Sequence, residues 1–271
     1  MTPTYRKTLS IPRFFIAFLF LSLLSSFPLL ALAEPSTPND NPPLEKARLQ
    51  LKWFHQFQFA GYYAAIQQGY YAEEGLDVEL LERDLNKSVA NQVLDGESEY
   101  GIGDSGLLNF YAQGKPIVAM AAIFQHNPLV FITKRDSGII SAYEMKAKRI
   151  MLDVLNVDEA PLKALLTSSN ISDQDFSLIK QANNNELLVK GDVDVQAGYV
   201  TDQPYYFQQH NIPINIIKPQ SYGIDFYGDI LFTSDNELQQ HPERVERFLR
   251  ASLKGWRYAL DHPQQLIELI V

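Results

Sequence analysis

Short apolar runs alternate with helix-like stretches from Leu49 to the end of the sequence. Leu49, Leu51 and Trp53 lie two positions apart, as in a strand with one buried face, and an aromatic stretch follows them. A helix-like segment comes next, and a second strand is predicted from Val78 to Leu81. The segment from Leu51 to Leu80 therefore predicts a strand, an aromatic loop, a helix and a second strand.

The same alternation continues through the rest of the chain. The further predicted strands are Tyr100–Gly103, Ile117–Phe124, Leu129–Thr133, Arg149–Leu152, Phe176–Ile179, Val193–Tyr199, Ile214–Lys218 and Ile230–Thr233. Residues suited to begin or cap helices stand between them: Asn86, Asp104 with Ser105, Asp158, Asn183, Thr201 with Asp202, His241 and Pro263. Strands that alternate with helices favour an α/β fold with parallel or mixed sheets. Because this order starts again after Lys134, two α/β lobes are expected.

A long helix is predicted after His241. Proline suits the first turn of a helix, and Pro242 follows directly. Val245, Phe248 and Trp256 then belong to an apolar stripe at helical spacing. We therefore expect Trp256 to pack in the core and not to contact a ligand.

The first 33 residues have a different pattern. Three basic residues lie within the first 13 positions, an apolar run covers Phe14 to Leu24, and small residues precede and include Ala33. This is the pattern of a secretory signal peptide, and its apolar run is short for a membrane span. We expect cleavage after Ala33, with a retained N-terminal anchor as the alternative. Residues 34–47 contain four prolines and are expected to form an extended tether.

Charge and cysteine content narrow the classes of function. The first 33 residues hold three of the 23 basic residues and none of the 32 acidic ones, so the remainder has a net charge of −12. Such a chain repels phosphate backbones, and we expect no nucleic-acid binding. The sequence has no cysteine, which excludes disulfides, thiolate metal ligands, cysteine nucleophiles and lipoprotein attachment through an N-terminal cysteine.

The sequence contains no recognisable catalytic or metal-binding motif. The run from Gly101 to Gly106 matches GxGxxG, but Asp104 would place a negative charge beside a bound phosphate, and no acid follows about twenty residues later. A tight turn that caps a helix explains the run better, and Asp104 and Ser105 remain candidate contacts for a small ligand. The five histidines form no HxxxH pattern. We expect no metal site, no cofactor and no catalytic residue.

Aromatic side chains with polar neighbours recur at the predicted strand-to-helix turns. With the two residues of the GxGxxG run, the candidate ligand contacts are Trp53, Gln56, Gln58, Phe59, Tyr62, Asp104, Ser105, Tyr199, Asp202, Gln203 and Tyr222. Aromatic rings stack on flat ligands, and amides and acids orient them through hydrogen bonds. Any one of these aromatic residues could instead belong to the core. Their recurrence nevertheless predicts a site for a small planar solute.

Six segments together resemble the thiamine-pyrimidine-precursor binding family. They are Leu51-Lys52-Trp53, Gly61-Tyr62-Tyr63-Ala64-Ala65, Gly69-Tyr70-Tyr71, Glu74-Gly75-Leu76-Asp77-Val78, Gly101-Ile102-Gly103-Asp104-Ser105 and Tyr199-Val200-Thr201-Asp202-Gln203-Pro204-Tyr205. Members are periplasmic solute-binding proteins of ABC importers, related to the fungal thiamine pyrimidine synthase and to sulfonate-binding proteins. The resemblance covers about Leu49 to Val271.

The resemblance implies a two-lobe periplasmic binding protein type II fold, whose lobes close on a ligand in the cleft between them. It implies that Trp53 and Tyr199 lie near the ligand ring and that Gln56 and Gln203 form hydrogen bonds to it. Gln203 stands where the family usually has an acid that pairs with an aminopyrimidine. An amide binds an amine more weakly than a carboxylate does, which argues against the usual pyrimidine.

Chemistry like that of the fungal synthase is disfavoured. That enzyme uses a histidine six positions after its tryptophan and a cysteine-rich motif, whereas this chain has Phe59 at the first position and no cysteine. The predicted function is therefore capture of a small planar solute, such as a thiamine pyrimidine precursor, for an ABC importer.

The expected partners follow from the resemblance. We expect a periplasmic monomer that binds a small-molecule ligand and docks on an ABC permease at the inner membrane. The aromatic run after Trp53 also resembles periplasmic input domains of bacterial sensors, in which the binder is fused to a membrane helix and a signalling domain. The chain ends within a predicted helix at Val271, which is compatible with a piece of such a larger protein.

The expected divisions are a signal peptide at 1–33, a tether at 34–47, a first lobe at 48–133, a second lobe at 134–226 and a return to the first lobe at 227–271. The chain is expected to cross between lobes near Phe131 to Arg135 and near Gly223 to Ile230. A hinge at these crossings would let the lobes close on a ligand.

Overall fold

Two five-stranded mixed sheets form the framework of the part of the chain that the computed structural model describes, residues 43–153 and 159–270. In chain order the strands are β1 (Glu45–Gln50), β2 (Leu76–Leu81), β3 (Tyr100–Gly103), β4 (Ile117–Phe124), β5 (Leu129–Lys134), β6 (Arg149–Leu152), β7 (Ser177–Lys180), β8 (Val195–Tyr199), β9 (Ile214–Ile217) and β10 (Gly228–Ser234). Each sheet has its own buried core and belongs to one lobe. The α/β fold class expected from the sequence is thus confirmed.

Helices connect most of the strands. They are α1 (Ala60–Gln67), α2 (Tyr70–Glu73), α3 (Val89–Leu94), α4 (Leu107–Ala112), α5 (Ala160–Ser168), α6 (Glu186–Lys190), α7 (Gln203–Gln209), α8 (Asp235–Gln240), α9 (Pro242–Asp261) and α10 (Pro263–Ile270). Short 3₁₀ helices add Phe57–Phe59, Arg135–Ser137, Ala142–Met145 and Pro219–Tyr222. None of the described helices combines the length and apolar character that a membrane crossing requires.

The sheets mix parallel and antiparallel pairs. In the first sheet, ordered β2-β1-β3-β10-β4, β1 runs parallel to β2 and β3, and β10 runs antiparallel to β3 and β4. In the second, ordered β7-β6-β8-β5-β9, β6 runs parallel to β7 and β8, and β5 runs antiparallel to β8 and β9. The chain passes between the sheets twice, at residues 125–128 and 218–227.

The position of β5 corrects the expected division of the chain. The first crossing was expected near Phe131 to Arg135, but Phe131 lies inside β5 and pairs with Ala197 and Ile217 in the second sheet. The crossing therefore precedes Leu129, because the apolar run of β5 finds its partners in the second lobe. The second crossing, at 218–227, overlaps the expected range 223–230.

Two local expectations at element starts were also wrong. β1 begins inside the expected tether, because Glu45 donates its N–H to the Gly75 carbonyl and accepts hydrogen bonds from Arg244 and Arg247. The helix cap expected at Asn86 is instead Ser88, whose hydroxyl accepts the N–H of Asn91. The expected signal peptide at 1–33 and the expected cap at 158 lie outside the described residues.

The contact between α1 and α9 holds the helical layer of the first lobe together. Trp256 of α9 covers Gly61 of α1 and meets the Tyr62 ring edge-on, with 5.6 Å between ring centroids. Phe248 stacks on Tyr100 of β3 with centroids 3.7 Å apart, which joins α9 to the sheet. The prediction that Trp256 is a core residue is confirmed.

Candidate ligand-binding site

A cleft lies between the lobes at the carboxyl ends of several strands. Its lining residues are Lys52, Trp53, Gln56, Gln58, Leu129, Asp153, Glu159, Gln181, Ala197, Gly198, Tyr199, Asp202 and Gln203. The empty volume is about 520 Å³, including the part that opens to solvent. Most of the polar lining follows β1, β6, β7 and β8, which end at this cleft. The carboxyl ends of parallel strands are the usual place for ligands in α/β proteins.

One aromatic ring comes from each lobe. Trp53 follows β1 and meets Phe54 edge-on, with centroids 5.4 Å apart. Tyr199 is the last residue of β8, and its ring lies under the Lys52 ammonium group, 5.7 Å from the nitrogen. A planar ligand in the cleft can therefore contact a ring from either side of the division between lobes.

Asp229 links the two lobes through its carboxylate. It lies in β10 of the first sheet, is 2% exposed, and accepts the Tyr199 hydroxyl at 2.9 Å. The same carboxylate accepts Gln58 Nε2 at 2.8 and 3.1 Å. Gln58 Oε1 in turn accepts Gln56 Nε2 at 2.7 Å. These bonds fix the direction of both amides and of the phenol at the wall of the cleft.

The Lys52 ammonium lies between two carboxylates at the base of the cleft. Its Nζ is 3.9 Å from Asp104 Oδ2 and 3.9 Å from Asp229 Oδ1, and all three residues are buried. Coulomb attraction is strong where water is excluded, so the positive charge of Lys52 is balanced within the protein.

The Tyr199 phenol stays protonated at neutral pH. Burial raises its pKa well above 10, the Asp229 carboxylate raises the pKa further, and the Lys52 ammonium lowers it in part. A protonated phenol donates to Asp229, in agreement with the observed bond.

Gln203 uses its amide to hold neighbouring residues. Its Oε1 accepts the Tyr199 N–H at 2.6 Å, and its Nε2 donates to Asp202 Oδ2 at 2.6 Å. Burial raises the pKa of the Asp202 carboxyl, and the bond from Gln203 opposes that rise. Gln203 thus lines the cleft and also orients Tyr199 and Asp202.

Glu159 and Gln181 provide buried oxygens at the second-lobe wall. Glu159 is 5% exposed and Gln181 is 9% exposed, and both line the cleft. Within the described part of the chain, Glu159 Oε2 and Gln181 Oε1 have no hydrogen-bond partner. Burial raises the pKa of Glu159 well above 4.5, the Asp153 carboxylate adds to the rise, and a hydrogen bond from the Asp153 backbone opposes it, so burial favours the protonated form of this acid.

Two polar contacts connect the lobes at the edge of the cleft, here called the rim, beside this wall. Arg83, which follows β2, donates to Asp153 Oδ2 at 3.1 Å, and the guanidinium is fully buried. It also donates to the carbonyls of Asp84 and Lys87. Lys180 of β7 donates to Asn86 Oδ1 at 2.8 Å. Both contacts join the first lobe to the second.

Six of the eleven residues expected in the site line this cleft. They are Trp53, Gln56, Gln58, Tyr199, Asp202 and Gln203. Residues from the first turn after β1 and from the end of β8 are therefore brought together, although nearly 150 positions separate them in the sequence.

The other five lie elsewhere. Phe59 and Tyr62 are 0% and 1% exposed in the first-lobe core, because they point from the start of α1 toward the sheet and α9. Asp104 is fully buried beneath Lys52 and accepts the Gly106 N–H at 2.7 Å. Ser105 donates to the Tyr227 carbonyl, and the Tyr222 hydroxyl accepts the Ala142 N–H.

Sequence reasoning missed most of the charged residues of the site and one amide. Lys52, Asp153, Glu159 and the amide of Gln181 line the cleft, and Asp229 supports it. The available signal was position: Lys52 and Asp153 come just after predicted strands, where ligand contacts collect. Asp229 had no local signal, because only the pairing of β10 brings it to Tyr199. Among residues 43–153 and 159–270, no group of three or more His, Cys, Asp or Glu is placed to hold a metal ion.

Comparison with known sequences agrees with the resemblance seen in the motifs. A sequence family described as "NMT1/THI5 like" matches residues 56–266. The riboflavin-binding protein RibY of Chloroflexus aurantiacus is 25% identical over 247 residues, 89% of this chain and 70% of the relative. A formylaminopyrimidine-binding protein of Halalkalibacterium halodurans is 22% identical over 267 residues, 94% of this chain and 78% of the relative. A 4-amino-5-hydroxymethyl-2-methylpyrimidine phosphate synthase of Legionella pneumophila is 21% identical over 232 residues, 83% of this chain and 72% of the relative.

Solved structures share the fold. The periplasmic aliphatic sulphonate binding protein SsuA of Escherichia coli superimposes with a TM-score of 0.63 at 13% identity, over 83% of this chain and 77% of that one. A Candida albicans protein described as having the generic periplasmic binding protein fold gives a TM-score of 0.65 at 19% identity, over 84% and 76%. The two-lobe periplasmic binding protein fold expected from the sequence is therefore confirmed.

Proposed function

The chain belongs to the NMT1/THI5-like family, and from this premise we propose that it is an exported solute-binding protein that captures a small planar solute for an ABC importer. The observation that carries this proposal is the cleft itself, in which an aromatic ring from each lobe stands among orienting amides and acids. Relatives named as riboflavin-binding and formylaminopyrimidine-binding support a nitrogenous ring as the ligand.

The proposed mechanism is closure of the lobes on the ligand. Trp53 and Gln58 belong to the first lobe, and Tyr199 and Asp202 belong to the second, so a ligand that touches both sets binds the closed state more tightly. The two crossings at 125–128 and 218–227 are the places where the backbone would bend. In this proposal the closed form, a periplasmic monomer, docks on the permease.

A synthase activity is the second candidate, because relatives carry that name. Two observations favour binding over synthesis. Phe59 occupies the position expected to carry a histidine in the fungal enzyme, and its side chain is fully buried in the core. The chain also has no cysteine for a cysteine-rich motif. A sensory input domain would use the same cleft and differ only in its partner, a fused signalling domain.

Replacement of Trp53 tests the proposal. The chain has two tryptophans, Trp53 in the cleft and Trp256 in the core, so each can be changed with the other as control. Titration calorimetry with riboflavin and with 4-amino-5-hydroxymethyl-2-methylpyrimidine should show saturable binding without turnover. Trp53→Ala should weaken that binding about ten-fold or more, because a stacked ring is lost.

Trp256→Phe should leave the affinity unchanged, and ligand-dependent quenching of fluorescence should disappear only in Trp53→Ala. Equal affinity of Trp53→Ala and the unaltered protein would remove Trp53 from the site. Consumption of the added compound would favour the enzymatic alternative.

A further inference from the structure

The cleft carries more acidic than basic groups at its wall and base. Asp153 and Asp202 line it, and Asp104 and Asp229 lie just beneath. The cations among these groups are Lys52 and Arg83. Lys52 lies between Asp104 and Asp229, and Arg83 is bonded to Asp153, so both positive charges are balanced by carboxylates. A ligand anion would therefore meet a net negative surface.

Three helices begin at or beside the cleft, and each has an acid at or near its start. Asp104 precedes α4 and takes the Gly106 N–H, Glu159 is the residue before α5, and Asp202 is the residue before α7. Helix N-termini ordinarily attract phosphate through free N–H groups and the helix dipole. Here the Asp104 carboxylate takes one of these N–H groups, and the acids before α5 and α7 place carboxyl groups beside the helix starts without capping them.

Proline removes further donors at two of these helix starts. Pro161 is the second residue of α5, and Pro204 is the second residue of α7. Because proline has no N–H, each start offers one donor fewer to an anion. The missing donor makes the starts of α5 and α7 less suited to hold an anion.

The same wall presents oxygens that need a partner. Gln181 Oε1 can only accept a hydrogen bond, and it is 91% buried with no partner in the described part of the chain. Glu159 Oε2 lies at this wall as well, 95% buried and also without a partner. Buried polar atoms of this kind are ordinarily bonded, so Gln181 suits a ligand that donates an N–H or O–H, and a protonated Glu159 beside it can itself donate to an acceptor on the ligand.

We infer that the cleft selects a neutral or cationic planar ring that donates a hydrogen bond to Gln181 Oε1 at the wall it shares with Glu159, and that it rejects phosphorylated or sulfonated forms of such a ring. The inference rests on the proposed solute-binding function and names its ligand class. It also assigns Glu159 and Gln181 as residues that determine specificity.

Matched pairs of compounds test this selection. Titration calorimetry on the purified chain would compare riboflavin with riboflavin 5′-phosphate, and 4-amino-5-hydroxymethyl-2-methylpyrimidine with its phosphate, with ethanesulfonate as a separate anion. The unphosphorylated member of a pair should bind, and its phosphate should bind about 100-fold more weakly or not at all, because a dianion is repelled at short range.

Equal or tighter binding of a phosphate, or binding of ethanesulfonate, would overturn the inference and leave the solute-binding function standing. Absence of binding by every compound would contradict the proposed ligand class and the inference together. The two failures are therefore distinguishable.

Two variants test which residues cause the preference for the unphosphorylated ring. Gln181→Met keeps the side-chain volume but removes the acceptor, and it should weaken binding of the unphosphorylated ring about ten-fold. Asp202→Asn removes one negative charge from the wall and should reduce the preference for the unphosphorylated form about five-fold or more. The exposed Asp173→Asn on the same lobe is the matched control and should change neither quantity. An Asp202→Asn protein with undiminished preference would contradict the electrostatic part of the inference.

Discussion

Asp229 has a backbone conformation that few side chains tolerate. Its φ is +44°, in the left-handed region, where a Cβ atom crowds the following carbonyl. Such a conformation persists when surrounding contacts hold it. Here Gln58, Tyr199 and Lys52 converge on the carboxylate. The strained residue is therefore the one that joins the cleft wall of one lobe to the other.

Substitutions at Asp229 should separate charge from backbone strain. Asp229→Asn keeps a residue that tolerates positive φ and loses the charge, so it should cost about 1–2 kcal/mol of unfolding free energy. Asp229→Ala also loses the buried acceptor beside Lys52 and should cost about 3 kcal/mol. Urea denaturation would measure both.

Asn211→Ala is the control, since Asn211 is exposed with a φ of +55°. It reports backbone strain alone and should cost about 1 kcal/mol. A loss at Asp229→Ala no larger than that of the control would show that its carboxylate does not stabilise the lobes.

Glu159 should make stability depend on pH. Its folded-state pKa lies well above the ordinary 4.5, so the folded protein holds a proton that the unfolded chain releases above that pH. Stability therefore falls as pH rises from about 4.5 toward the folded-state pKa. Glu159→Gln cannot ionise, so the thermal midpoint of this variant should rise relative to that of the unaltered protein as pH rises above about 4.5.

The exposed Glu268→Gln serves as control and should show no such trend. If the difference in thermal midpoint between Glu159→Gln and the unaltered protein stays constant across this range, the raised pKa of Glu159 is contradicted.

At the residue scale, sequence patterns located the rings and amides better than the charges. Trp53 and Tyr199 were predicted from their place at strand ends, and both line the cleft. Phe59 and Tyr62 share that aromatic stretch but turn into the core, because the 3₁₀ turn Phe57–Phe59 and then α1 redirect the chain after Trp53. Single acids usually lie on the surface, so Glu159 had no signal that distinguished it. Only the tertiary fold buries it.

At the element scale, α1 and α9 are joined by the approach of two glycines. A Cβ added to Gly255 would collide with the Gly61 carbonyl and lie 2.8 Å from the Ala65 backbone nitrogen. The Trp256 ring covers Gly61 in the same contact. Close approach of the two backbones therefore depends on the absence of side chains at both positions.

Gly255→Ala should thus destabilise the protein, whereas replacement of a helical glycine by alanine usually stabilises a helix. In an exposed helix interior, alanine is favoured over glycine by up to about 1 kcal/mol. At Gly255 the collision should instead cost about 2–3 kcal/mol, measured as a lower denaturation midpoint. The neighbouring Leu253→Ala, at a half-exposed position of α9, should change stability by much less. A stabilised Gly255→Ala protein would contradict the described contact.

Most strands and helices could be predicted from the spacing of apolar residues. The neighbours with which each strand pairs in a sheet could not. β3, β4 and β6 have the predicted limits, and α9 follows its apolar stripe. The apolar run of β5 predicts a strand in either lobe, because nothing local states which sheet it joins. α8 was missed, since its six polar-rich residues have no helical stripe and depend on the Ser234 cap.

At the scale of the whole molecule, hydrogen bonds among the described residues join the lobes across the cleft at three places: Tyr199 to Asp229, Arg83 to Asp153 and Lys180 to Asn86. All three join residues of the first sheet or its loops to residues of the second. They are the contacts expected to break when the lobes separate, so the proposed closure predicts a distance change at the rim.

The absence of cysteine makes this change measurable with introduced labels. Spin labels on Asn86→Cys and Lys180→Cys should give a shorter and narrower distance distribution when a ligand is bound. Labels on Asp173→Cys and Gln208→Cys, both exposed in the second lobe, should give the same distance in both states. An unchanged distance across the rim at saturating ligand would contradict closure.

The order of strands in the first sheet also has a consequence for how the chain folds. Among the described strands, β4 lies at the edge and pairs only with β10, which follows more than a hundred residues later. The second sheet is formed by the continuous segment 129–217 and can assemble first. During synthesis the apolar strand β4 is therefore unpaired until β10 has been made. Unpaired apolar strands readily aggregate. The interval between the emergence of residues 124 and 234 is when a nascent chain would most need a chaperone.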